Sequence, residues 1–122
     1  MKKRKFTFWY YTVSHGQALL RSVGIDDTEN IDIYFGNVSY IEIPTFIDGL
    51  EIQAPSPDDI DYVTQRIGKI NPKQKIKVLL HDEKKYYIVS SSIKIMKNNL
   101  LFYELPFDIP SDMGGKFYRP KK

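Results

Sequence analysis

The sequence predicts an α+β fold: an antiparallel sheet of six to seven strands with one α-helix, about 57–68, packed on it. Two observations carry this. Short runs of β-branched and aromatic residues, broken by Gly, Pro, Asn and Asp, recur along most of the 122 residues. Only one segment has helical spacing with stop and start signals at both ends. A small barrel with the helix as plug or cap is the alternative reading.

Taken in order, residues 5–13 (KFTFWYYTV) read as a strand apolar on both faces, with Phe6, Phe8 and Tyr10 on one and Trp9, Tyr11 and Val13 on the other. After an SHG corner, QALLRSV fits a strand or a helical turn, because Leu19 and Leu20 suit either period. GIDDTEN is an acidic loop. IDIYF and VSYIEI flank Gly36-Asn37, a hairpin signal, and Pro44 ends the pairing. GLEIQA is a further short strand. Ser56 then caps a helix with Pro57 at its first position and Asp59 closing a capping box. Asp58 adds favourable charge at the positive end of the helix dipole. Ile60, Val63, Ile67 and Ile70 give it an apolar stripe, and Gly68 and Pro72 stop it. KIKVLLHD, YYIVSSSIKIMK and LLFYELPF follow as a three-stranded meander. The tail beyond Pro106 is irregular.

With 42% hydrophobic and 27% charged residues, the chain has globular composition and the size of one domain, 1–122. Its lack of Cys removes disulfides, thiolate metal sites and cysteine nucleophiles together. The basic start MKKRK leads into an aromatic, strand-like run without a small-residue cleavage site, so it reads as mature protein and a cytoplasmic address is expected.

Charge is unevenly laid out. Basic residues are concentrated in two tails, 1–5 and 116–122. Between them, residues 22–65 hold ten acids and no Lys or Arg, whereas 66–97 hold nine basic residues against Asp82 and Glu83. Mutual neutralisation across the fold is one reading. A persistent acidic face is the other, and such a face steers a basic partner electrostatically.

The inventory for catalysis is short. His15 and His81 are the only imidazoles, and a two-histidine ribonuclease-like site with Arg21 or Lys85 holding phosphate charge requires the two corners to meet. Ser14 beside His15 is not expected to pair with it, because neighbouring strand residues point to opposite faces. The His81-Asp82 dipeptide resembles a metal-binding pair but lacks further ligands. Asp26, Asp27, Glu29 and Asp32 lack the spacing of a calcium loop. No phosphate-cradling glycine loop is present. No metal or cofactor is expected.

The expected function is therefore non-catalytic binding of a basic protein partner. Small, cysteine-free bacterial immunity proteins that neutralise toxin domains offer a class-level analogy, and the nine Tyr suit a contact surface. The expected contact residues are Asp26, Asp27, Glu29, Asp58, Asp59 and Asp61. A small hydrolase or nuclease using His15 and His81 is the alternative. Nucleic-acid binding through the basic, aromatic termini ranks third, because the body's net negative charge repels phosphates.

Overall fold

The computed structural model describes residues 4–107. They form β1 (Lys5–Thr12), β2 (Gln17–Ser22), β3 (Asn30–Glu42), β4 (Phe46–Asp48), β5 (Glu51–Gln53), α1 (Pro57–Ile67), β6 (Lys75–His81) and β7 (Lys84–Asn98). All seven strands belong to one antiparallel sheet, in the order β4-β1-β2-β3-β7-β6-β5, curled into a half-barrel with one short helix. This is α+β with the helix as the minor part.

The two edge strands are neighbours in sequence, separated only by Gly49 and Leu50. That link ties the two edges together. Gly49 donates its N–H to Arg4 O at 2.7 Å beside β1, and its carbonyl accepts from His81 Nδ1 at 2.9 Å at the end of β6.

Alternation along the strands sends Phe6, Leu20, Ile33, Phe35, Leu79 and Ile88 into a single apolar cluster on one face of the sheet. The other face carries two covers. Helix α1 lays Val63, Tyr62 and Ile67 over Ile76, Val78, Tyr87 and Val89 of β6 and β7. Residues 100–107 form a strap over β1, β2 and β3, where Trp9 packs edge-on against Phe102 at 4.9 Å and Tyr34 meets Phe107 at 5.0 Å.

The structure departs from the sequence pattern at several places. Gly36-Asn37 does not turn: β3 runs straight through it, paired with β7 from Asn30↔Asn98 to Glu42↔Tyr87. Asn37 keeps its left-handed backbone (φ 51°) beside a bulge between Val38 and Tyr40, so the turn residue bends a long strand instead of closing a hairpin. LLFYELPF is not a third meander strand, because β7 already has β3 on one side and β6 on the other. Tyr10 does not share a face with Phe6 and Phe8. A bulge between Phe8 and Tyr10 shifts the register, and Tyr10 faces Phe107 under the strap.

The helix starts where its caps dictate. Ser56 Oγ accepts from the Asp59 N–H at 3.2 Å, and the Asp59 carboxylate accepts from the Ser56 N–H at 2.9 Å. Gly68 ends it (φ 77°), donating to Thr64 O. Val63, Ile67 and Ile70 of the expected stripe pack on the sheet side, but Ile60 is 43% exposed, and Asp59 and Tyr62 take inward positions beside them. Of the basic N-terminal tail, Arg4 and Lys5 belong to the fold; residues 1–3 and the tail at 116–122 lie outside the described residues.

Candidate partner-binding surface

The acidic loop between β2 and β3 is a built turn. Thr28 Oγ1 accepts from the Ile25 N–H at 2.8 Å and donates to Ile25 O at 2.6 Å, closing Ile25–Thr28. Asn30 Oδ1 accepts the Gly24 N–H at 2.9 Å. Gly24 is required by close approach: a Cβ there would sit 1.9 Å from Thr28 O. Asp26 and Asp27 occupy the two central positions, both left-handed (φ 51° and 65°). Such a turn normally takes Asn or Asp followed by Gly, because a side chain at the second positive φ crowds the backbone. Both carboxylates are exposed at the tip, and the second, Asp27, stands there at a conformational cost.

Arg4 braces this turn without neutralising it. Its guanidinium donates to Ser22 Oγ, Ser22 O and Glu29 O at 2.9, 3.1 and 3.0 Å, all neutral acceptors. Apolar side chains flank the turn: Ile25 is 72% exposed, Val23 52% and Phe46 49%. Together with Arg4, Lys5 and Asp26 they line an open cleft of about 810 Å³. Exposed apolar groups within a charged rim are the composition of an interaction surface.

The acids of residues 22–65 do not form one face. Asp26, Asp27 and Glu29 are exposed at the turn, and Asp58 and Asp61 are exposed on α1. Asp59, expected beside them, is turned inward. Its carboxylate accepts from Ser56, from Tyr87 Oη at 2.8 Å and from Lys85 Nζ at 3.2 Å. Burial alone would raise its pKa, but these donors outweigh that and hold it down at about 2. Asp59 fastens the helix and is not available to a partner.

Asp32 is buried too. It holds Arg21 through two parallel bonds of 2.7 and 2.8 Å and accepts from Asn98 Nδ2 at 2.8 Å. Arg21 donates onward to Leu101 O and Glu104 O, and lies 5.3 Å from the Trp9 ring centroid. Neither side chain is offered to phosphate or to a cation. Lys85 is likewise engaged, with Asp59.

Sequence reading did not anticipate the group around Glu42. Tyr40 and Tyr62 both donate to its carboxylate, Tyr62 at 2.7 Å, and Arg66 Nε lies 3.5 Å away. The Arg66 guanidinium stacks 3.6 Å over the Tyr62 ring. Burial and the Glu42 bond push the Tyr40 hydroxyl up to about 12, so it stays a donor. Tyr40, Glu42, Tyr62 and Arg66 belong to no chemical motif, and the signals in the sequence are the same-face spacing of Tyr40 and Glu42 on a strand and the (i, i+4) spacing of Tyr62 and Arg66.

The two histidines sit on different hairpins. His15 is exposed in the β1–β2 turn, whereas His81 is half-buried at the β6–β7 turn. Clefts lined by His81 take in Asp48, Gly49 and Asp82 but not His15. Because a carbonyl only accepts, the His81 bond to Gly49 O places the ring proton on Nδ1. Ser14 Oγ and His15 Nδ1 do lie 2.9 Å apart, contrary to the strand argument, because both occupy a turn. Among the described residues no carboxylate orients that imidazole.

No group of three or more His, Asp or Glu able to hold a metal is found among the described residues, and no helix there is long and apolar enough to cross a membrane. No protein-family model, no curated protein and no solved structure matches the chain.

Proposed function

We propose that the chain is a non-catalytic binding protein, an immunity-type inhibitor whose β2–β3 turn meets a basic protein partner such as a toxin domain. One observation carries this reading: Asp27 follows Asp26 at the second left-handed position of the turn, which ordinarily takes Gly, so two carboxylates are kept at the tip. Strain kept at an exposed tip is accounted for by what the side chains contact. Beside the turn, Val23, Ile25 and Phe46 supply apolar area for the centre of an interface. Asp58 and Asp61 on α1 form a second, separate acidic patch that adds long-range steering.

The test uses the full chain immobilised to capture its partner from extracts of the source cells, beside a variant carrying Asp26→Asn, Asp27→Asn and Glu29→Gln. The expected partner is basic, harms cells when produced alone, and is silenced by co-expression of this chain. Association with the variant should be slowed about tenfold at low salt, with the difference closing at high salt. A partner that binds both proteins at the same rate, or one that is acidic, sinks the proposal.

A further inference from the structure

A second surface lies at the far edge of the sheet and is independent of the acidic turn. Ile52, Ile60, Ile70 and Ile76 line an apolar groove of about 500 Å³ between α1 and the start of β6. Ile60 is the helical residue that the core did not take.

Among the described residues the ladder leaves one backbone position at this edge, Ile76, without a strand partner on the β5 side. Asp82 and Glu83 form a two-residue loop, so His81 and Lys84 are the closing pair of the β6–β7 hairpin. The antiparallel ladder then turns the N–H and C=O of Lys75, Lys77 and Leu79 towards β7, and those of Ile76, Val78 and Leu80 towards β5. β5 serves Leu80 through Glu51 and Val78 through Gln53, and continuing that register would bring Pro55 opposite Ile76. Proline has no N–H to give, and β5 ends at Gln53, two residues before it. Among the described residues no loop or cap backbone bond reaches Ile76.

Charge selects the occupant. Lys75 and Lys77 line the groove, and among the described residues neither forms an ion pair with a carboxylate. Lys77 Nζ rests on the carbonyls of Lys75 and Ser90, each at 3.3 Å. Burial, then the neighbouring Lys75 charge, lowers its pKa, and a nearby anion would favour its charged form. Among the described residues no acidic residue lines the groove, so Lys75 and Lys77 set its charge. Two such grooves set against each other would bring lysine against lysine.

We infer that this groove receives an extended segment of a partner protein that alternates apolar and acidic side chains and adds to the sheet beside Ile76 of β6.

The full-length, ¹⁵N-labelled protein is titrated with an acetylated peptide of alternating Val and Glu. Saturable shifts are expected at the amides of Gln53, Ile60, Ile76 and Lys77. Ile60→Glu, at an exposed position, should weaken binding about tenfold, and Lys75→Glu about fivefold, both with unperturbed spectra elsewhere. A matched Val and Lys peptide should bind at least about tenfold more weakly. The inference is overturned by the absence of saturable shifts at millimolar peptide, by shifts confined to other residues, or by equal binding of the Lys peptide. It is also overturned if the groove proves to be filled by self-association that Ile60→Glu abolishes.

Discussion

On the inner face of the half-barrel, Phe6, Leu20, Ile33, Phe35, Leu79 and Ile88 belong to one apolar cluster, whereas on the outer face each cover is pinned by a carboxylate. Asp32 holds Arg21 beneath the 100–107 strap, and Asp59 holds Lys85 and Tyr87 beneath the start of α1. The inner face needs only shape and alternation. The outer face cannot rely on them, because a strap without strand pairing and a helix of 11 residues bring little apolar area of their own. Directional bonds locate these covers; hydrophobic burial alone would not fix their position.

The largest expected effects test that difference directly. Phe35→Ala removes a fully buried ring from the inner cluster and should cost about 3–5 kcal/mol, with no second-site substitution of a polar residue restoring it. Asp32→Ala should cost a similar amount, about 3–5 kcal/mol, because it strands the buried Arg21 charge. Here, however, the double change Arg21→Met with Asp32→Leu should recover most of the loss, since two apolar groups of similar bulk replace a desolvated pair. Urea unfolding of the three variants decides the matter. If the double variant is no more stable than Asp32→Ala, the pair does more than locate the strap.

An intermediate effect is expected at Asp59. Its pKa lies at about 2, below the usual carboxylate value, so it contributes stability that is fully present above pH of about 4 and lost as pH falls through about 2. Asp59→Asn should cost about 2 kcal/mol at neutral pH, from weakened bonds to Lys85, Tyr87 and the Ser56 N–H. Thermal unfolding followed from pH 7 to pH 2 should show the two curves converging across that acid window. A gap that stays constant throughout would place the cost in helix capping geometry and not in the charge.

What the sequence made legible divides along the same line. The inner face could be read, because alternation at Leu20, Ile31, Ile33 and Ile88 is a local pattern set by the pleat. The helix could be read from Ser56, Pro57, Asp59 and Gly68, whose capping chemistry is contained within one segment. Gly36-Asn37 was misread because a two-residue turn signal is equally a bend signal, and only the continuous β7 ladder decides between them. The strap was misread as a strand because LLFYELPF has strand composition, and whether a free sheet edge remains for it is a property of the topology. Among the candidate contact residues, Asp59 was given both a cap and a surface role; one buried carboxylate cannot serve both. The Arg21–Asp32 pair joins neighbouring strands across an acidic loop, and nothing in local spacing separates Asp32 from the exposed Asp26 and Asp27.

The smallest expected effect is the one that bears on function. Asp26→Asn with Asp27→Gly gives the β2–β3 turn the residues its two left-handed positions favour, at φ 51° and 65°. Relief of crowding is partly offset by the greater freedom glycine gives the unfolded chain, so the net gain should be about 0.5 kcal/mol, or a Tm rise of about 2 °C. No contact of the inner cluster changes, and the Thr28 and Asn30 bonds that close the turn involve neither carboxylate. If the carboxylates serve a basic partner, the same variant must bind it more slowly while being more stable, so stability and association move in opposite directions. Calorimetry and association kinetics on one preparation measure both. A variant that gains stability and loses no association rate would leave the aspartates without a role at the tip, and the acidic turn would then be only a connection between two strands.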